Sequence, residues 1–293
     1  MRRTLMLSLL CIATGLASGC RPETIVTTPV VPTAGVRFIN AVPDTAGALG
    51  LDFRFVDIPE SNAQFRITFR NNPVTTGGVT ASTQIEYKGA KAGQRHFTIF
   101  FDDDVQAIAS TKLKDSTLTL EDGKNYTVIL WGSARAGASP GLKLTVIPEV
   151  VTDPGTQVAL RVINATGAAI DARQYVQGGT APADPTWANI APLSASSFIT
   201  VAPGLIMYNV RPAGAATNLF NDLLALQGTP AFSTAGVGGK LDIQPLPGTT
   251  IAGSAITLVV FPPSATGART PQTAAFLVPA GSFAWDRRPP AGF

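Results

Sequence analysis

A single histidine, His96, stands in this chain of 293 residues, and it narrows the chemistry within reach. A serine or cysteine nucleophile needs a nearby base, and no Gly-x-Ser-x-Gly elbow occurs beyond the N-terminal segment. His96 sits in an apolar stretch that reads as a strand, so its expected role is that of a partly exposed strand residue. With one histidine a zinc site would rest almost wholly on carboxylates, which is uncommon, and no metal is expected. Asp102-Asp103-Asp104 offers the hard oxygens that calcium favours. Three consecutive side chains cannot all face one ion, however, and the spacing is not that of an Asp-x-Asp-x-Asp-Gly loop. The run reads as a solvated turn that discourages edge-to-edge pairing. Gly236-Val237-Gly238-Gly239-Lys240 fails the Walker spacing, because Leu241 follows the lysine, and it reads as a flexible loop. Paired carboxylates could run a glycosidase, but nothing singles out two of the 19 acidic residues. No cofactor is implied. Of the tryptophans, Trp131 ends an apolar run and is expected in the core. Trp187, in the loop-like stretch Asp184 to Asn189, and Trp285, near the C-terminus, are the weak candidates for a ligand-binding platform.

The two cysteines ask for a different explanation. Arg2 and Arg3 precede an apolar run from Leu5 through Ala13, and small residues lead through Ala17-Ser18-Gly19 into Cys20. Basic start, short apolar core and small-residue site are the layout of a secretory signal peptide. The run is far too short to cross a bilayer as a helix. Cys11 would leave with the signal, making Cys20 the only cysteine of the mature chain, and an unpaired thiol in an exported protein needs a reason. The stretch before Cys20 resembles the bacterial lipobox. That resemblance implies acylation of Cys20 and a membrane-anchored protein, on the outer membrane, its periplasmic face or the cell surface. Residues 20–35 carry three prolines and four threonines without apolar periodicity and read as an extended tether. At roughly 3.3 Å per residue it would reach about 50 Å.

Behind these residues must stand elements able to hold them. The mature chain keeps 274 residues (293 less 19), enough for two ordinary domains. Charged residues are only 14%, and Gly, Pro, Thr, Val and Ala are plentiful, the palette of an all-β protein with many turns. The formal net charge of +3 falls to +1 once Arg2 and Arg3 are removed, and no basic patch suggests nucleic acid as a partner.

The sequence also repeats itself. Val36-Arg37-Phe38-Ile39-Asn40-Ala41 returns as Leu160-Arg161-Val162-Ile163-Asn164-Ala165, and Leu51-Asp52 as Ile170-Asp171. Ala92-Gly93 before His96 to Ile99 matches Pro203-Gly204 before Met207 to Val210. Gly123 to Leu130 matches Gly253 to Val260. Kept order with drifting spacing is the mark of duplication with loop insertions. Strands are predicted at 36–40, 51–56, 65–69, 95–101, 105–110, 118–120, 126–131 and 142–147. In the second half they are predicted at 157–164, 170–176, 197–201, 206–211, 255–261 and 273–278, with a short helical turn at 221–226.

These motifs resemble the bacterial family known as domain of unknown function 4397. Its members open with an Arg-apolar-apolar-Asn-Ala strand and continue with an Asp-bearing strand, a small-Gly turn and a Gly-x-x-Tyr-Thr-Val strand. Arg37 to Ala41, Asp52, Gly93 and Gly123 to Val128 fit, as do Arg161 to Ala165, Asp171, Gly204 and Gly253 to Leu258, with Ile256 in the place of the tyrosine. The resemblance implies an exported, anchored β-domain protein and no particular reaction. The expected layout is a signal peptide at 1–19, a tether at 20–35, immunoglobulin-like β-sandwich domains in tandem at 36–150 and 151–279, and a tail at 280–293. The expected role is non-catalytic: structure, adhesion or ligand binding in the cell envelope. Membrane lipid would be held through acylated Cys20, with an envelope protein or glycan as partner. The alternative is an extracellular carboxylate-based hydrolase acting on polysaccharide.

Overall fold

The computed structural model describes residues 30–45, 51–57, 87–101, 105–134, 137–151, 153–236, 239–263 and 279–289. Residues 32–293 form one compact unit. Among the described residues its regular structure is nearly all strand, as the Val-, Ile- and Thr-rich runs between Gly and Pro turns require.

Among the described residues, the first half holds seven strands: β1 Thr33–Asn40, β2 Leu51–Phe55, β3 Lys88–Lys91, β4 Gly93–Phe101, β5 Lys112–Leu120, β6 Asn125–Trp131 and β7 Lys143–Glu149. They make one sheet in the order β3-β1-β6-β7 and another in the order β2-β4-β5. Neighbours run antiparallel except β1 and β6, which are parallel from Gly35↔Asn125 to Asn40↔Leu130.

The second half adds β8 Val158–Asn164, β9 Ile170–Val176, β10 Trp187–Ile190, β11 Ser194–Ala195, β12 Ile199–Val201, β13 Ile206–Pro212 and β14 Leu223–Leu224. A two-stranded ribbon follows, β15 Phe232–Gly236 with β16 Gly239–Ile243, and then β17 Ala255–Phe261 and β18 Ala280–Arg287. One sheet runs β11-β8-β17-β18, with β12 also on β8, and the other runs β10-β9-β13-β14. Its parallel pair is β8 with β17, so Arg161 lies opposite Thr257 just as Arg37 lies opposite Thr127.

Side chains alternate between the faces of a strand. Val36 and Phe38 of β1 therefore point to one side, where they meet Phe53, Phe97, Ile99 and Val128 in the core of the first half. Leu160 and Val162 of β8 do the same in the second half, against Tyr208, Leu258, Phe283 and Trp285. The opposite faces are buried too. Ile39, Ala41 and Ile129 pack against Ile163, Ala165, Val259, Phe261 and Ala284. The β1-β6 and β8-β17 sheets thus share a third core, and the two halves form one body. Strands buried on both faces read as continuous apolar runs, which these do.

Several local expectations need correction. Thr33 to Gly35, expected in the tether, already belong to β1, where their backbone pairs with Gly89 to Lys91. Residues 105–110, expected as a strand, contain the short helix α1, Gln106–Ala109, in which Gln106 and Ala107 are exposed. The helical turn expected at 221–226 is instead β14, because Leu223 and Leu224 complete the edge of the sheet beside Tyr208 and Met207. Gly236 and Gly239, expected in a flexible loop, face each other across the end of the β15–β16 ribbon. The expected tail supplies β18, which pairs with all of β17 and buries Phe283 and Trp285. The strands predicted at 65–69 and 273–278, the aspartate run 102–104 and Cys20 lie outside the described residues.

Candidate functional site

The polar residues of the repeated motif converge at the contact between the halves. Arg37 projects from β1 and Arg161 from β8, each from the face opposite its own half's core. Parallel register sets a threonine beside each one. Arg37 Nε donates to Thr127 Oγ1 at 2.7 Å, and Arg161 Nε to Thr257 Oγ1 at 2.8 Å. The threonine hydroxyls in turn donate to carboxylates, Thr127 to Glu149 at the end of β7 and Thr257 to Asp286 on β18. A register shift opposite Ala255 and Ile256 falls beside Asp286, and such bulges re-aim a side chain.

The carboxylates then cross between the halves. Arg37 Nη2 lies 2.8 Å from Asp286 Oδ1 and 3.4 Å from Glu149 Oε1. Arg161 Nη2 lies 2.8 Å from the same Asp286 oxygen, and its Nη1 lies 2.6 Å from Glu149 Oε2. Aromatic faces close the box, Tyr87 against the Arg37 guanidinium at 4.5 Å and Phe198 against that of Arg161 at 4.4 Å. All four charged side chains are at most 5% exposed.

Two cations and two anions balance, so the box carries no net charge into the interior. Burial alone would lower the Arg161 pKa; Asp286 and Glu149 outweigh it and hold the guanidinium above its ordinary value. Burial also pushes the Tyr87 hydroxyl upward. Both shifts run away from neutral pH. What the arrangement does is bind the halves together with oriented, charge-assisted hydrogen bonds.

The motif asparagines are likewise spent locally. Asn40 Oδ1 accepts from the Val42 amide at 3.0 Å, and Asn164 Oδ1 from the Thr166 amide at 2.9 Å, the same turn-forming bond in both halves. Asn164 Nδ2 also donates to the Ala168 and Ile190 carbonyls. Asp171 accepts from the Asn189 and Gly214 amides at 2.7 and 2.9 Å. Burial would raise its pKa; those two bonds, with Arg173, bring it below the usual carboxylate range.

The tryptophans do not form a surface platform. Trp187 opens β10, not a loop, and is buried. Its ring lies parallel to that of Tyr208 at 6.0 Å, and its Nε1 donates to the Ser197 carbonyl. Trp285 is buried as well, because alternation along β18 turns it with Phe283 into the second core. Half-exposed His96 stands 3.7 Å from Asp115, on the surface of the β2-β4-β5 sheet. A second polar group surrounds Asp222, which accepts from the Tyr175 hydroxyl, from Asn209 at 2.7 Å and from Asn218 at 3.2 Å. The bond to Asp222 raises the Tyr175 pKa to about 12. Among the described residues, no group of three or more His, Cys, Asp or Glu side chains is placed to hold a metal ion.

Sequence reasoning picked out Arg37, Arg161, Thr127 and Thr257 as parts of repeated motifs but not as neighbours, and it missed Glu149 and Asp286. The available signal was an arginine in each of two otherwise apolar strands.

Comparison with known proteins bears on the same stretch of chain. Residues 34–173 match the model of a family described as Domain of unknown function (DUF4397). The match supports that family. It covers β1, Arg37, Arg161 and Asp171, the residues that build much of the box and its surroundings. No curated protein matches the chain. Among solved structures, similarity is found to the Bacillus anthracis TIE protein, at 12% identity and a TM-score of 0.20 over 79% of this chain and 34% of that one. The chain thus spans about a third of that protein's length. Similarity is also found to a candidate cell adhesion protein from Parabacteroides distasonis, at 10% identity and a TM-score of 0.21, over 88% of this chain and 99% of that one. At those scores neither likeness carries an argument.

Proposed function

We propose that the protein is a non-catalytic lipoprotein of the bacterial cell envelope, anchored through acylated Cys20. In this reading it carries two immunoglobulin-like β-sandwich domains, tandem copies of the DUF4397 unit, and serves in structure, adhesion or ligand binding. Its domains run from the start of β1 to residue 150 and from 151 through the end of β18. One observation carries the reading: the polar residues that recur in both halves are engaged in holding the fold together. Arg37 and Arg161 join the halves, and Asn40 and Asn164 shape the turns after their strands. The basic, apolar and small-residue segments before Cys20 supply the address. Two or more acyl chains give stable anchorage where one does not.

The test is Cys20→Ser in the full precursor. Wild-type protein should incorporate a clickable fatty acid and partition with membranes, while the variant should lose the label and leave the membrane fraction. Unchanged membrane association of an unlabelled variant would refute the anchor. A glycan array and an envelope pull-down with the mature protein should then identify a ligand or partner.

A further inference from the structure

The two halves point the same way. Arg37 and Arg161 share one Asp286 oxygen, and Ile39 and Ala41 sit with Ile163 and Ala165. The starts of β1 and β8 therefore lie at a common end, and Arg287, where β18 finishes, reaches Asp153 just past β7 at 2.7 Å. This is the end at which the chain coming from Cys20 enters the fold, at Thr33.

Exposed large apolar side chains gather there. Val150, 81% exposed, follows the Glu149↔Asn125 pair beside the start of β1. Val176, 62% exposed, ends β9, and Leu205 precedes β13 next to it, since the Gln177 amide donates to the Leu205 carbonyl. Leu246 pairs with Thr229 in the segment that leaves from β14 at the same level, and Phe232, 47% exposed, begins the ribbon three residues later. Away from this end, Val105 lies beyond the far end of β4 and Val146 in the middle of β7. The charges at the near end are mixed: Lys91, Lys124 and Arg288 are exposed, and so are Glu121 and Asp122.

We propose that this end is a membrane-docking surface. Val150, Val176, Leu205, Phe232 and Leu246 enter the headgroup region of the bilayer that carries the anchor. The inference rests on the lipid attachment proposed above, because the chain from that attachment enters the fold at this end. Apolar side chains at an interface sink to the boundary between headgroups and acyl chains. Mixed charge means that the contact does not depend on anionic lipid, so salt, which screens charge, should leave it in place.

The experiment takes the mature chain with Cys20→Ser and an N-terminal polyhistidine, held on phosphatidylcholine vesicles doped with a nickel-chelating lipid. Single cysteines at Val150, Val176 and Leu205, with Val105 and Val146 as controls, carry an environment-sensitive NBD label. The expected result is a rise in emission of about two-fold at the first three sites, quenched by spin-labelled lipid and unchanged in high salt, with no rise at the controls. No rise at any site, or an equal rise at Val105, overturns the proposal. A rise that grows with protein concentration without vesicles also overturns it and points to a second copy of the chain as the occupant. Because the tether is artificial, docking is read whether or not Cys20 is acylated in cells, so failure of the anchor and failure of the surface are told apart.

Discussion

Arg161 is buried, and so are the carboxylates it meets. Removing one member of a buried ion cluster leaves an uncompensated charge, at a cost of about 3–5 kcal/mol. Arg161→Met should therefore lower the urea-unfolding free energy by about that amount, through stranded Glu149 and Asp286. Replacing Arg37, Arg161, Glu149 and Asp286 together with apolar residues should cost little, since the attraction among them first offsets the desolvation of all four. Asp171 supplies a pH prediction. Its pKa is depressed in the fold, so its contribution to stability is complete above the unfolded value of about 3.9 and is lost as pH falls through the folded value. Asp171→Asn should flatten the acid limb of a stability–pH curve measured by denaturant titration. At this scale the sequence was half legible. An arginine inside an apolar run announces a buried partner, but Asp286 lies 249 residues from Arg37, and no periodicity connects them.

Strand β18 is the element that most changes the reading of the chain. The aromatics, arginines and prolines of residues 280–293 suggested a terminal tail, yet in the strand Phe283 and Trp285 alternate with Ala284 and Asp286, one pair for the second core and the other for the contact between halves. That alternation was visible; its weight was not, because eight residues near a terminus carry no register of their own. Gly281 shows how closely the strand is fitted, since a Cβ there would come within 2.5 Å of Leu223 Cδ1. Ending the chain at Pro279 should expose the second core and leave Glu149 as the one carboxylate for both arginines. Far-ultraviolet circular dichroism and size exclusion should then report loss of cooperative folding and aggregation, well beyond the effect of trimming a frayed terminus. Short elements were the least legible. Trp187 follows Asp-Pro-Thr and reads as loop, because the four residues of β10 are too few to show a period.

At the scale of the whole molecule, strand character and the doubling were plain in the sequence, but the union of the halves was not. Residues such as Ile39, Ile129, Ile163 and Val259 look like ordinary core residues of their own halves, and only stacking of the two sheets makes them shared. A common apolar core and a crossed ion cluster couple the halves strongly enough to predict a single unfolding transition. Heat-capacity scans and circular dichroism should coincide, and residues 32–150 expressed alone should be far less stable than the pair. The parallel pairing of β1 with β6 has a mechanical consequence. A pull on the chain ahead of Thr33 acts along β1, whose evenly spaced bonds to β6 run from Gly35 to Asn40 while β3 grips its other edge. Force applied there is thus borne in shear across many bonds together, not by peeling them one after another, so β1 is the strand best placed to take a load.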